Sequence, residues 1–274
     1  MAGRLEEDYE IGDLLQEGGF SLVYSGTRRR DKEPVAVKVI KRGFVSGWDT
    51  TDGVRVPLEI SMLTLLSKVP GVIRLLDWYE QHDSFYIVME RPLDSEDLFS
   101  FIQKGKIRND AVAKSFFGQV LKIVADCYMK GVVHRDIKDE NILVTRGGTL
   151  KLLDFGSCAY EKSTEFTDFD GTVLYYPPEW FLHNRYRGES AAVWSLGVLL
   201  YIMVHAKIPF ENIEEICAAK LYLRGDLSEG CRDLIIKCLS LEPDNRPSLQ
   251  DLMNHSWFEQ KPKSNAIIKI TRST

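Results

Sequence analysis

Residues 134–141 read His134-Arg135-Asp136-Ile137-Lys138-Asp139-Glu140-Asn141, and Asp154-Phe155-Gly156 follows, with Asp154 eighteen residues after Asp136. Phosphoryl transfer needs a carboxylate that orients the attacking hydroxyl and accepts its proton, and oxygen ligands that hold magnesium on the phosphates. Asp136 fits the first requirement, and Asn141 and Asp154 fit the second. Because both motifs occur at this separation, we favour phosphoryl transfer over a polar loop followed by an unrelated turn.

A short hairpin is predicted between the two motifs. The apolar runs 142–145 and 150–153 flank the turn residues Arg146-Gly147-Gly148, as expected for two paired strands. Such a hairpin returns the chain, so that Asp154 faces Asp136 and Asn141 across one cleft.

A lysine ends the otherwise apolar run Val35-Ala36-Val37-Lys38, which predicts a strand. An ammonium buried without a partner is costly, so we expect an acidic partner, and Glu59 on the next predicted helix is the candidate. A lysine held by such a glutamate can reach the α- and β-phosphates of a nucleotide. A solvated lysine on an edge strand is the alternative.

The sequence Gln16-Glu17-Gly18-Gly19-Phe20-Ser21-Leu22-Val23 lies where a phosphate-covering loop of the pattern G-x-G-x-x-G-x-V is expected. Gly18 keeps the middle glycine, whereas Gln16 and Ser21 replace the first and third. Side chains at these positions hinder close approach of the backbone to the phosphates. A hairpin turn without a ligand is the alternative.

The two parts of the chain differ in patterning. β-rich runs in roughly the first ninety residues predict an antiparallel sheet, interrupted by one helix behind Pro57. After Pro92 the apolar residues recur at helical spacing. The predicted strands are 9–15, 22–27, 35–40, 72–79 and 85–89, and the predicted helices are 56–68, 97–103, 110–130, 191–204, 211–221, 231–240 and 248–254. The predicted fold class is α+β.

Composition argues against several classes of protein. The chain has 274 residues, 44% hydrophobic and 27% charged, which is enough to bury a core. Its net charge of −5 gives no basic field for nucleic acid or an anionic membrane. The apolar run 191–204 is too short for a bilayer span and the start lacks a signal-peptide pattern, so we expect a cytoplasmic or nuclear protein. The five cysteines include no C-x-x-C pair, which predicts reduced thiols.

Together these residues resemble a eukaryotic protein kinase over roughly residues 9–258. Lys138, two residues after Asp136, resembles the lysine that serine/threonine kinases have at this position. Pro177-Pro178-Glu179 stands where such kinases have A-P-E, and Arg246 is the expected ion-pair partner of Glu179. Among kinases, the chain is similar to the Pim serine/threonine kinases. The segments that carry this resemblance are Arg55-Val56-Pro57, Gly71-Val72-Ile73-Arg74-Leu75-Leu76-Asp77-Trp78, Glu90-Arg91-Pro92, Thr167-Asp168-Phe169-Asp170-Gly171-Thr172 and Ala191-Ala192-Val193-Trp194-Ser195-Leu196-Gly197.

The resemblance implies one bilobal kinase domain over residues 1–274 that uses ATP and Mg²⁺. The small sheet lobe would span 9–89, the hinge 90–93, the helical lobe 94–260 and a tail 261–274. Because Pro92 has no N–H, the Glu90 carbonyl would make the main hinge hydrogen bond to adenine. Catalysis is expected from Asp136, Lys138, Lys38 and Glu59, and nucleotide contacts from Leu15, Gly18, Gly19, Phe20, Val23, Ala36, Lys38, Met89, Glu90, Leu143 and Asp154.

The resemblance also implies how the kinase is switched on and what it phosphorylates. Asp168 is expected to pair with Arg135 in place of a phosphate, which would give activity without phosphorylation of the activation segment, residues 154–179. Asp97, Asp139 and Glu140 are expected to face basic residues N-terminal to the acceptor serine or threonine. We expect a monomer that binds protein substrates and neither nucleic acid nor membranes. A pseudokinase scaffold with impaired nucleotide binding is the alternative, and a small-molecule phosphotransferase is a more distant one.

Overall fold

The computed structural model of the chain describes residues 4–107, 109–168 and 170–259. After a short helix, α1 (Leu5–Asp8), the N-terminal lobe contains the strands β1 (Tyr9–Glu17), β2 (Ser21–Arg28), β3 (Pro34–Lys41), β4 (Trp48–Thr51), β5 (Val54–Pro57), β6 (Leu75–Gln81) and β7 (Ser84–Glu90). Five of them form an antiparallel sheet in the order β1-β2-β3-β7-β6, and β4 and β5 form a separate hairpin. The predicted antiparallel sheet is confirmed.

Alternation along β3 separates the core from the site. Val35 and Val37 are fully buried and belong to a cluster with Tyr9 on one face of the sheet. Because successive side chains of a strand point to opposite faces, Ala36 and Lys38 face the other side. The helix α2 (Leu58–Leu65) contributes its buried Glu59 there.

The hairpin of β4 and β5 was not predicted, and it corrects the start of the predicted helix over residues 56–68. Val56 and Pro57 belong to β5, and α2 begins only at Leu58 because Pro57 has an extended backbone, with φ −53° and ψ 140°. The predicted strand over 72–79 also starts late, at Leu75. Val72 forms a parallel bridge with Leu152 of the C-terminal lobe instead.

The C-terminal lobe is mostly helical, as predicted. Its helices are α3 (Leu98–Gln103), α4 (Asp110–Met129), α5 (Pro178–His183), α6 (Gly188–His205), α7 (Ile213–Ala218), α8 (Glu229–Cys238), α9 (Leu249–Met253) and α10 (Ser256–Glu259). α6 is long and apolar enough to cross a membrane, but 78% of that window is buried inside the protein, so it serves as a core helix. α7 is shorter than the predicted helix over 211–221, because Ala219 takes a left-handed φ of 47° that ends it.

Short strands position the loops of the site. They are β8 (Glu96–Asp97), β9 (Val132–Val133), β10 (Ile142–Val144), β11 (Leu150–Leu152) and β12 (Ala159–Tyr160). β10 pairs with β11, which confirms the predicted hairpin, and β9 pairs with β12. The loop with Asp136 runs between β9 and β10, and the turn with Asp154 runs between β11 and β12. The predicted boundary at residue 260 and the tail 261–274 lie outside the described residues.

Candidate active site

Asp136 lies in the loop after β9, buried and surrounded by hydrogen-bond donors. The Asn141 side-chain amide donates to its Oδ2 at 2.9 Å, and Lys138 Nζ lies 3.3 Å from the same oxygen. Its Oδ1 accepts hydrogen bonds from the backbone N–H and the hydroxyl of Thr172, at 2.9 and 2.7 Å. Four donor groups therefore fix the orientation of this carboxylate.

Lys138 places a positive charge beside Asp136. Its Nζ donates to Thr172 Oγ1 at 2.8 Å and lies 3.3 Å from Glu140 Oε2. Partial burial disfavours the charged form, but the carboxylates of Asp136 and Glu140 raise the pKa of Lys138 above its ordinary value. The ammonium therefore stays charged where a phosphate and a hydroxyl would meet.

His134 joins the Asp136 loop to the turn that carries Asp154. Its Nε2 lies 2.9 Å from the Leu153 carbonyl oxygen, and the Asp136 N–H donates to its Nδ1 at 3.3 Å. Its ring meets the Phe155 ring edge-on at 4.8 Å. Burial lowers the pKa of His134, so the ring is neutral and carries its proton on Nε2.

Lys38, Glu59 and Asp154 form one ion-pair network, although they come from a strand, a helix and a turn. Lys38 Nζ lies 2.8 Å from both carboxylate oxygens of Glu59 and 2.7 Å from Asp154 Oδ1. Burial opposes the charge on Lys38, but the two carboxylates raise its pKa above the ordinary value. Desolvation by the surrounding protein atoms opposes ionisation of Asp154, and the Lys38 ammonium nevertheless lowers the pKa of that carboxyl.

Asp154 and Asn141 offer the oxygen atoms that a divalent cation needs. Asp154 has a left-handed backbone, with φ 54° and ψ 80°, and its side chain is 49% exposed although Oδ1 is held by Lys38. The Asn141 amide nitrogen donates to the backbone and side-chain oxygens of Asp136, so the amide oxygen is left to meet a cation. Carboxylate and amide oxygens suit Mg²⁺, so these two residues fit the ion.

The predicted adenine-binding residues lie on strands of both lobes. In register, Val23 on β2 is opposite Lys38, and Ala36 is opposite Met89 on β7. Leu15 on β1 is exposed, Met89 is buried, and Leu143 on β10 is half-buried. The side chain of Glu90 accepts from the Arg74 N–H at 3.0 Å and from Lys151 Nζ at 2.6 Å, which fixes the start of the hinge.

The loop between β1 and β2 is a tight turn that a backbone hydrogen bond closes. The Gly18 N–H donates to the Ser21 carbonyl at 2.9 Å. Neither Gly18 nor Gly19 has a positive φ, so the turn itself does not require glycine at either position. Phe20 at the tip is 71% exposed, and its ring lies 5.8 Å from the ring of Phe44.

Arg135, whose φ is +66°, reaches the activation segment at three points. Its guanidinium donates to the Asp168 carboxylate and, at 2.6 Å, to the Ser157 carbonyl, and it lies 3.6 Å from Asp170 Oδ2. The Arg135 side chain is 8% exposed. Burial opposes the ionised form of Asp168, but the guanidinium lowers the pKa of that carboxyl. Asp168 therefore presents an anion to Arg135 throughout the physiological pH range.

Sequence reasoning assigned no role to Thr172, yet this residue contacts both Asp136 and Lys138. The neighbouring Gly171 has φ +139°, and a Cβ there would lie 2.6 Å from the Arg135 carbonyl oxygen. The segment can therefore approach the Asp136 loop this closely only with glycine at position 171. The signal in the sequence was the Asp170-Gly171-Thr172 turn shortly before Pro177-Pro178-Glu179.

Asp139 was predicted to face a substrate peptide, and the structure corrects this. Its carboxylate is buried and accepts a hydrogen bond from the Tyr175 hydroxyl at 2.8 Å, so it holds the activation segment. Glu140 is exposed beside Lys138. Asp97 caps α3 by accepting from the Ser100 N–H and hydroxyl at 2.6 and 2.9 Å, and it stays half-buried.

Glu179 and Arg246 form a buried bidentate ion pair, with N–O distances of 2.8 and 2.7 Å. The Arg246 guanidinium also donates to the Ser240 carbonyl at 2.9 Å and lies over the Trp194 ring, 4.9 Å from its centroid. This pair anchors the end of the activation segment to the helical lobe.

Comparison with known proteins agrees with this geometry. The family model of the protein kinase domain matches residues 9–258. The chain is 45% identical to the serine/threonine-protein kinase prk-2 of Caenorhabditis elegans over 269 residues, and 45% identical to the serine/threonine-protein kinase pim-2 of Danio rerio over 271 residues. Each alignment covers 95% of this chain, and they cover 60% of prk-2 and 87% of pim-2.

Other serine/threonine kinases are similar as well. The PAS domain-containing serine/threonine-protein kinase of Mus musculus is 35% identical over 262 residues, which are 93% of this chain and 19% of the mouse protein. Since the family match spans nearly the whole two-lobed fold and the 45% identical relatives are serine/threonine-protein kinases, the chain belongs to the protein kinase family and is a protein serine/threonine kinase.

Proposed function

We propose that the chain is a Pim-type kinase that transfers the γ-phosphate of MgATP to serine or threonine preceded by basic residues, and that its activation segment needs no phosphate. The contact of Arg135 with Asp168 and Asp170 is the observation that carries the proposal. The 45% identity to pim-2 of Danio rerio supports it.

The chemistry follows from the side chains around Asp136. Asp136 orients the substrate hydroxyl and accepts its proton, while Lys138 stabilises negative charge between the acceptor and the phosphate. Lys38, kept in place by Glu59, anchors the phosphates of the nucleotide. A magnesium ion held by Asn141 and Asp154 would neutralise charge on those phosphates.

Activity without phosphorylation rests on the anion that Arg135 already has. An arginine beside the catalytic aspartate is commonly satisfied by a phosphate, which orders the activation segment. Here two carboxylates of the segment occupy its guanidinium, and Ser157, which follows Gly156, donates to Asp170 Oδ1 at 3.0 Å. The carboxylates of Asp168 and Asp170 therefore order the activation segment in place of a phosphate.

The preference for basic peptides now rests on Glu140 and Asp97. Glu140 is 62% exposed, and a carboxylate in this position attracts arginine or lysine, more strongly at low ionic strength. Glu96 is different, because two lysines, Lys104 and Lys106, pair with its carboxylate. Glu140 instead shares the single ammonium of Lys138 with Asp136. Ser100 adds no charge at the start of α3.

One experiment tests the proposal. Phosphatase-treated protein is given MgATP and paired serine peptides that carry either arginine or alanine before the acceptor. We expect turnover of the arginine peptide without an activating kinase, and a higher KM for it in Glu140→Gln but not in the control Glu96→Gln. A requirement for an upstream kinase, or equal use of both peptides, would contradict the proposal.

A further inference from the structure

The β4–β5 hairpin and the two residues before it, Ser46 and Gly47, contact elements on both sides of the Lys38 network. Towards α2, the hydroxyls of Thr51 and Ser61 lie 2.7 Å apart, and the Leu58 N–H donates to the Gly47 carbonyl at 2.8 Å. Towards the C-terminal lobe, the Ser46 hydroxyl donates to the Gly156 carbonyl at 3.3 Å. The hairpin therefore lies between the helix that carries Glu59 and the segment that follows Asp154.

A second contact from the hairpin reaches further along the activation segment. The Tyr160 hydroxyl donates to Asp49 Oδ2 at 2.6 Å, although the two residues are 111 positions apart. The Thr50 N–H donates to Asp49 Oδ1 at 2.7 Å and orients the carboxylate. The hydrogen bond between Tyr160 and Asp49 lowers the pKa of Asp49 and raises the pKa of Tyr160 to about 12. The donor and the acceptor therefore keep their protonation states at neutral pH.

Both ends of this contact are anchored in paired strands. Asp49 on β4 lies opposite Val56 on β5, and Tyr160 on β12 lies opposite Val132 on β9. The hydrogen bond thus joins two ordered pieces of backbone, one in each lobe. The Arg135–Asp168 contact, by comparison, lies wholly within the C-terminal lobe.

We propose that Asp49 and Tyr160 are positioning residues of this kinase. Their hydrogen bond ties the hairpin, and through it α2, to β12, so that Lys38 contacts Glu59 and Asp154 at the same time. The Tyr160 side chain is about half exposed, so the hydroxyl acts through this contact more than through packing. Neither residue touches the Lys38 network itself.

The test compares variants that change one atom or one acceptor. Tyr160→Phe removes only the hydroxyl, Asp49→Ala removes the acceptor, and Asp49→Asn keeps an acceptor oxygen. Tyr79→Phe is the matched control, since the Tyr79 hydroxyl donates to Asp8 at 2.8 Å within the N-terminal lobe. The measurements are kcat with saturating MgATP and peptide, the KM for peptide, and hydrogen exchange of the α2 amides.

We expect Tyr160→Phe and Asp49→Ala each to lower kcat roughly two- to tenfold, the range of one hydrogen bond, with an unchanged KM for peptide and faster exchange in α2. The double variant should lose no more than either single one. Asp49→Asn should recover most of the kcat, and Tyr79→Phe should match the wild type. Wild-type kcat and exchange in Tyr160→Phe, or losses that multiply in the double variant, would overturn the proposal.

Discussion

His134 is a buried ring whose protonation opposes folding. Its pKa in the folded protein is below the ordinary value of about 6.5, so the unfolded chain takes up the proton first as the pH falls. The free energy of unfolding should therefore decrease as the pH is lowered from 7 towards 5. His134→Phe keeps a ring against Phe155 and removes this titration.

Urea unfolding of wild type and His134→Phe at pH 7, 6 and 5 checks this. The variant should lose less stability over the interval than the wild type does. Equal slopes for wild type and His134→Phe would show that His134 is not buried as a neutral ring.

The Glu179–Arg246 pair should contribute strongly to stability, because both partners are buried. Arg246→Ala leaves the Glu179 carboxylate uncompensated and should lower the free energy of unfolding by about 3–5 kcal/mol. Arg187→Ala is the control, since Arg187 and Asp244 form an exposed pair that is worth at most about 1 kcal/mol. Urea denaturation compares the two variants, and similar losses would contradict this account.

The sequence predicted the residues whose type and spacing define a chemical role. Because Lys38 lies in an apolar strand, the sequence predicted an acidic partner for it, and Glu59 is that partner in the structure. The contacts of Thr172 with Asp136 were out of reach, because 36 residues separate them and only the folded segment brings them together. Asp139 was misplaced because motif position does not show whether a side chain is buried.

At the scale of elements, the loop between β1 and β2 gives a prediction about nucleotide affinity. Gln16 and Ser21 carry side chains where glycine lets the backbone close on phosphates, and Glu17 adds negative charge nearby. Pro92 has no N–H to donate to adenine, which would remove one hinge hydrogen bond worth roughly 0.5–1.5 kcal/mol. The KM for ATP should therefore be high.

Restoring the glycines tests this prediction. Gln16→Gly combined with Ser21→Gly should lower the KM for ATP or raise kcat, as measured by ATP titration at saturating peptide. Equal or better ATP affinity in the wild type would mean that the loop reaches the phosphates by another route.

Most elements were predictable from periodicity, and the failures have local causes. The β4–β5 hairpin was missed although Asp52-Gly53 is a strong turn signal, and both residues have positive φ, 51° and 79°. Its strands are only four residues each, and its polar face shows little alternation. The early end of α7 depends on the left-handed backbone of Ala219, and an alanine does not predict that conformation.

In the whole molecule, both lobes contribute residues to the site. Lys38 and Glu59 come from the N-terminal lobe, and Asp154 and Asp136 come from the C-terminal lobe. The change of pattern near Pro92 predicted a sheet-rich part followed by a helical part, and the resemblance to protein kinases implied two lobes with a hinge at 90–93. The sequence could not predict the contact between Asp49 and Tyr160, which depends on how the lobes are placed.

If this chain transfers phosphate and is not a pseudokinase scaffold, it turns over a peptide substrate, and that turnover depends on Asp136 and Lys38. The direct test is the kcat of phosphatase-treated wild type with saturating MgATP and a basic serine peptide, beside Asp136→Asn and Lys38→Met. In-line transfer needs the hydroxyl oriented and the phosphates anchored together, so each variant should lose orders of magnitude in kcat while still unfolding cooperatively. Lys38→Met also leaves the buried Glu59 carboxylate without its cation, so its melting temperature should fall below that of the wild type. Wild-type turnover in either folded variant, or no turnover in the wild type, would contradict the account.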